Sequence, residues 1–331
     1  MTQVRRRFII ALLAVLPFLA HSIWDYVEAR RLRARIEAIK SRGESVGPRY
    51  VQLSAAAADA DRLYRAASIL ASGFDLGAEP RRRHQLSTAI RDGNWTSDVR
   101  DEVRARLARY SDAMELADRA AELPFEGFAP GTTYNYLTSH LWSLARICAL
   151  RATVRALDGD SDGAYAALYS AVRVQRALDR PFHVPGLKIV VERSHPSPAA
   201  RARVMRGFDD IDVDDLPKQS LVRTRSLWLS GYDRDVVREM SGMSWLVRPW
   251  AAHRLTRALD VFALLVEAAG KPESQRVAAM QRVDGFPSPF NVSREQSRAA
   301  LEQSVRGFMA DADWVRCARR AVAGEPITCR L

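Results

Sequence analysis

Six histidines, His21, His84, His140, His183, His195 and His253, are the first residues to test for chemistry, and their spacing argues against a helical zinc site. Metal-assisted hydrolysis on a helix needs two histidines at i, i+4 with a glutamate between them, and no pair has that spacing. His183, Glu192 and His195 come nearest to a cluster, but the irregular Pro-rich stretch around them gives them no common face. The acidic run Asp209, Asp210, Asp212, Asp214 and Asp215 offers the oxygen ligands that calcium takes. It lacks the glycine and terminal glutamate of an EF-hand loop, so it reads as a solvated loop or as charge at a helix N-terminus. No glycine-rich phosphate loop, nucleophile elbow or paired-cysteine zinc motif occurs. The expectation is that linear motifs mark no catalytic residue, no metal ligand and no cofactor site.

Cysteine and tryptophan supply the remaining candidates. Cys317 and Cys329 bracket Gly324 and Pro326, a spacing that could close a disulfide and pin the tail to the last helix. Such a bond persists in an oxidising compartment; the other reading is two independent thiols. Cys148 shares a helical face with Leu141 and Leu144, which makes it a small core residue. Trp142 and Trp228 also fall on helical stripes, where core packing is expected. Trp245 and Trp250, beside Arg248 and Pro249, form a candidate interaction surface.

The elements that position these residues are helical. Ala, Arg, Leu and Glu dominate the 331 residues, and stretches rich in β-branched residues are scarce, the best being Leu187 to Val191. An all-α fold follows, as a helical bundle or short α-solenoid with one N-terminal transmembrane helix. The formal charge of +11 comes with only four lysines, Lys40, Lys188, Lys218 and Lys271, among 50 basic residues. That Arg-rich, Ala-rich composition reads as codon bias in a bacterial genome and a solvated helix surface, so nucleic acid is not the expected partner.

Location rests on the first 27 residues. A basic tail, residues 1–7 with Arg5, Arg6 and Arg7, precedes an uncharged run from Phe8 to Trp24 that Tyr26 and Val27 extend. As a helix the run spans roughly 25 Å, slightly short of a hydrocarbon core, and snorkelling arginines close the gap. The same layout suits a secretory signal peptide, but Phe18-Leu19-Ala20 puts a bulky residue in the cleavage motif and Ala20-His21-Ser22 is only passable. A transmembrane anchor over residues 8–27 is preferred, with membrane lipid as its partner. Arg5 to Arg7 abut the run and favour that end inside; Arg30, Arg31, Arg33, Arg35, Lys40 and Arg42, counted strictly, favour the reverse. Weighting the abutting three places the main domain outside the cytoplasmic membrane, in the periplasm.

Residues 28–45 continue as an amphipathic juxtamembrane helix with Leu32, Ile36 and Ile39 on one stripe, and residues 46–331 form the helical domain. Helices are predicted over about 53–72, 112–123, 198–208 and 216–240, with Pro249 opening another and Ser293 and Gln296 capping a last one that reaches Val322. The strongest pattern is a hairpin over residues 133–179: Leu137, Leu141, Leu144, Cys148 and Ala152, then the turn Asp158-Gly159-Asp160, then Ala164, Ala167, Leu168, Ala171 and Leu178. An irregular linker, 180–197, follows.

The Gly159-Asp160 turn with Ala164, Leu168 and Ala171 resembles the second half of a tetratricopeptide-type repeat, although no second copy recurs at a fixed period. With the anchor and Ala121-Glu122-Leu123-Pro124, the order of elements is similar to a loosely defined group of uncharacterised bacterial membrane-anchored helical proteins, a resemblance that implies no activity. The functional expectation is a non-catalytic interaction or scaffold protein of the bacterial cell envelope that binds another protein between its hairpins. The alternative is an envelope enzyme whose site is assembled from dispersed carboxylates on facing helices.

Overall fold

Short-range signals set most helix boundaries. In a computed structural model, which describes residues 3–44, 53–76, 79–126, 134–178, 184–209, 211–219, 221–222, 225, 237–281 and 310–327, the chain is all-helical, with no strand among those residues. The helices are α1 (Gln3–Ser41), α2 (Ala55–Leu70), α3 (Pro80–Arg91), α4 (Ser97–Ala108), α5 (Ser111–Ala121), α6 (Tyr134–Leu157), α7 (Ser161–Leu178), α8 (Leu187–Arg193), α9 (Pro198–Asp209), α10 (Val237–Ala269), α11 (Glu273–Gln281) and α12 (310–323). Ser54, Thr96 and Ser197 cap α2, α4 and α9: their hydroxyls accept from the N–H groups of Ala57, Val99 and Ala200 at 3.3, 3.4 and 3.2 Å. Each cap contributes about 1 kcal/mol. Gly159, at φ 85°, turns α6 into α7 in the left-handed conformation that a side chain resists.

Two sequence expectations change. Leu187 to Val191, the most strand-like stretch, lies in α8: seven residues pack Leu187 and Val190 inward, which helical spacing achieves as well as strand alternation. Pro249 opens no helix but sits inside α10. A proline within a helix forfeits one backbone hydrogen bond without necessarily ending it.

Contacts divide the chain into two compact units, Met1–Pro48 with Pro217–Arg306 and Arg49–Leu216 with Gly307–Leu331. The stretch 46–331, read from sequence as one domain, is thus shared between them. In the second unit α7 is the central helix: 12 of its 18 residues are buried, and α5, α6, α8 and α9 pack against it. Ala145, Ala149, Ala152 and Ala156 on α6 and Ala164, Ala167 and Ala171 on α7 are buried, and side chains of that size let the antiparallel helices approach closely. Trp314, Val315, Ala318 and Val322 of α12 complete the same core. Arg316 holds Asp214 at 2.7 Å, and Arg319 donates to the Ile211 carbonyl at 2.6 Å. The acidic run therefore folds as a turn in which Asp212 accepts from the N–H groups of Asp214 and Asp215, both at 3.1 Å.

Gly186 begins α8 at φ 78°, and a Cβ there would lie 2.2 Å from the Thr153 hydroxyl. Gly186→Ala is expected to cost about 2 kcal/mol or more, from left-handed strain of 1–2 kcal/mol with the clash added. Thr153→Ala in the same chain should recover only the clash. Chemical denaturation of the two single variants and the double variant checks this; additive losses would contradict it.

In the first unit α1 and α10 run side by side, with Leu32, Ile36 and Ile39 packed on Leu255 and Leu259. The stripe predicted for the juxtamembrane helix is thus the face that meets α10. The apolar run and the juxtamembrane segment form one unbroken helix, α1. Among the described residues no helix is long and apolar enough to cross a membrane; the side chains of α1 are described from Val15 onward, partway into the run from Phe8 to Trp24.

Candidate functional site

Of the surface read from Trp245, Arg248 and Trp250, the last two have described side chains; Trp245 lies in α10 with its side chain outside the described residues. Arg248 pairs with Asp25 at 2.9 Å, and the Arg254 guanidinium stacks 3.8 Å over the Trp250 ring, which is itself exposed. Both sit at one end of an ion-paired seam. Glu28 is 3% exposed and receives Arg31 at 3.0 Å and His253 Nδ1 at 3.3 Å, while Arg35 meets Asp260 at 2.7 Å. The acids of the upper seam point inward: the Asp25 and Glu28 side chains are 13% and 4% exposed, against 57% for Arg248 and 62% for Arg31. The outer surface at this level is consequently cationic.

N-terminal to the seam, α1 carries an exposed apolar surface. Val15, Leu16, Phe18, Leu19, Ile23, Trp24, Tyr26 and Val27 are all exposed large hydrophobics. They span more than three turns and cover one broad face: at 100° per residue they fall within an arc of about 240°, and the remaining side carries His21, Asp25 and Glu28. A continuous apolar wall of that kind is costly in water and marks a membrane or protein contact.

The inner face of the α6–α7 hairpin receives α5. At the end of α5, Asp118 accepts from Arg151 of α6 at 2.9 and 2.5 Å and from Ser170 of α7 at 2.6 Å. Arg173 donates to the Leu123 carbonyl at 2.8 Å and Tyr169 to the Ala121 carbonyl at 3.0 Å. These donors satisfy carbonyls that a helix C-terminus leaves unpaired, and they seat α5 against the inner face of the hairpin. Trp142 of α6 is 45% exposed, where stripe periodicity had placed it in the core; Leu141 and Leu144 take the inward positions beside it. Trp228 lies outside the described residues.

The remaining candidates do not converge. His183 lies outside the described residues; Glu192 pairs with Lys188 at 3.8 Å, and the His195 backbone N–H donates to the Ser161 hydroxyl at 2.9 Å. Among the described residues no group of three or more His, Cys, Asp or Glu side chains could hold a metal ion. A surface groove along α9, lined by Pro196, Pro198, Arg201, Met205, Arg206 and Asp209, brings one carboxylate to two guanidiniums. Burial pushes the Asp311 carboxyl from its ordinary 3.8 up to about 7, and Asp311 is not part of that groove. The folded chain therefore holds this proton more tightly than the unfolded chain, a contribution to stability present below pH 3.8 and lost as pH rises through about 7. Asp311→Asn should stabilise the chain at pH 8 and leave it unchanged at pH 3, as thermal melts at the two pH values would show.

Cys317 is buried and held in a disulfide; Cys329, the partner expected from sequence, lies outside the described residues. Cys148 is a free, buried thiol, pushed by burial up to about 12. Because thiolate is the reactive form, iodoacetamide at pH 8 should leave Cys148 unmodified in the native chain and alkylate it once denaturant is added. No family model, curated protein or solved structure matches the chain.

Proposed function

We propose that this chain is a membrane-anchored helical interaction protein of the bacterial cell envelope, held by α1 and carrying its second unit outside the cytoplasmic membrane. The observation that carries the reading is the apolar wall of α1 from Val15 to Val27, which ends abruptly where the charged seam with α10 begins. An apolar helix surface meeting a ring of arginines is the profile of a lipid-embedded segment leaving through the headgroups. Trp24 and Tyr26 fall at the level where aromatic side chains favour the interface.

Another protein is the proposed ligand of the second unit. Ile69 and Leu70 at the end of α2 and Trp142 on α6 are exposed apolar residues on two helices that pack together. An exposed Trp is among the residues enriched at binding hot spots. A disulfide between Cys317 and Cys329 fits the same location, since an oxidising compartment would preserve it.

A reporter enzyme that is active only after export, fused to the C-terminus of the full chain, tests the sidedness. Activity outside the cytoplasmic membrane is the expected result. A fusion that is produced at full length but inactive would place the second unit on the inner side and remove the reason for the disulfide.

A further inference from the structure

Arginines and acids gather around the turn that follows α2. Arg82 donates to the Glu102 carboxylate at 2.9 Å and Arg106 to the same group at 2.6 Å. Arg83 pairs with Asp75, and Arg106 also donates to the Asp75 carbonyl at 3.4 Å. Arg146, on α6, differs from these three. It is half-buried, and among the described residues it makes no hydrogen bond and no ion pair. Burial therefore pushes its guanidinium down from the ordinary arginine range, and the Asp75 charge nearby offsets this only in part. Asp75 is already engaged by Arg83, so four guanidiniums share two carboxylates here. A cation taken partly out of water without a partner costs stability.

The face of α6 that carries Arg146 gives that cost a use. Ser139, Trp142 and Arg146 fall at i, i+3 and i+7, one above another along the helix. Ser139 is exposed and Trp142 is 45% exposed. A large apolar ring thus stands one turn from a cation that lacks an anion. The pair fits a peptide that seats a carboxylate on the guanidinium, in the bidentate geometry arginine favours, and lays an apolar side chain on the indole. Nucleic acid fits less well, because a phosphate backbone is tracked by a run of free cations. Arg82, Arg83 and Arg106 are each tied to a carboxylate.

We infer that the face of α6 carrying Trp142 and Arg146 docks an acidic segment of a partner protein, with an Asp or Glu carboxylate on Arg146 and an adjoining apolar residue on Trp142. Charge complementarity selects this occupant. Arg82, Arg83, Arg106 and Arg146 outnumber Asp75 and Glu102, and among the described residues Arg146 is the member of the group left without an anion. The inference rests on the proposed protein-binding role of the second unit and gives the chemistry of its ligand.

Photocrosslinking gives the test. Ser139 is replaced by photoreactive benzoylphenylalanine in the full chain, the cells that natively make the protein are irradiated, and the adducts are digested and sequenced by mass spectrometry. The expected adduct is a protein segment with an Asp or Glu beside the crosslinked residue, and Arg146→Gln should abolish it. Purified without a partner, the Arg146→Gln chain should melt at the parent temperature or above it, because a desolvated charge is removed and no native contact is lost. An adduct that survives Arg146→Gln, or that maps to a segment without acidic residues, would overturn the inference and leave the protein-binding reading standing. A lower melting temperature would make Arg146 a structural residue and overturn the inference in the same way. Adducts to lipid or nucleic acid alone, or no adduct at all, would overturn both readings of this face.

Discussion

Replacing Leu16 and Leu19 together by arginine is expected to move the protein from the membrane fraction to the soluble one. Both residues lie in the exposed apolar wall, 50% and 56% exposed. At the centre of an inserting helix each arginine costs about 2.5–3.5 kcal/mol on the insertion scale. Two of them oppose insertion by roughly 5–7 kcal/mol, a factor of several thousand to about a hundred thousand in the partition. Stability of the second unit should not change, because it contains neither residue. The measurement is fractionation of cells expressing the parent and the double variant, with circular dichroism on both. A variant that stays in the membrane would show that α1 is held there by something other than its own apolar surface.

The second large effect is in the core. Leu168 is wholly buried at the middle of α7, and alanines surround it on both arms of the hairpin. Alanines have no side-chain freedom with which to fill a void, so Leu168→Ala should leave most of its cavity open and cost about 3 kcal/mol. For a unit of this size that lowers the melting temperature by roughly 6–12 °C. Leu168→Met, which conserves volume, should cost about 1 kcal/mol. Thermal melts of the two variants separate cavity formation from general intolerance; equal losses would contradict the packing described for α7.

What the sequence made legible was local. The helix predicted from residue 198 is capped by Ser197, because a side-chain oxygen needs only the N–H groups two or three residues on. Gly159 turns the hairpin because the left-handed conformation is a property of that residue alone. The stripe of Leu32, Ile36 and Ile39 showed that one face of α1 is covered, but not by what. Its partner, α10, lies more than 200 residues away, and the pairs that fix the register, such as Asp25 with Arg248, carry no signal in the intervening sequence.

Periodicity failed where a residue borders a stripe. Trp142 follows Leu141 by one position, which on a helix is a rotation of about 100° and enough to carry it from core to surface. Pro249 was read as a helix start because proline is favoured there, yet the same residue is accommodated within α10. The seat of α5 on the hairpin was invisible for a different reason. Asp118, Arg151 and Ser170 come from three helices, and nothing in their spacing of 33 and 52 residues distinguishes them from the many other charged residues.

Lipid contact by α1 is the claim on which the proposed location and the exported disulfide both depend. Extraction of membranes carrying the full-length chain with alkaline carbonate tests it directly, because that treatment strips proteins held by charge alone and leaves those embedded in hydrocarbon. The account predicts that the protein remains in the pellet at high pH and is released only by detergent. Release into the carbonate supernatant, with residues 1–30 still attached, would contradict it.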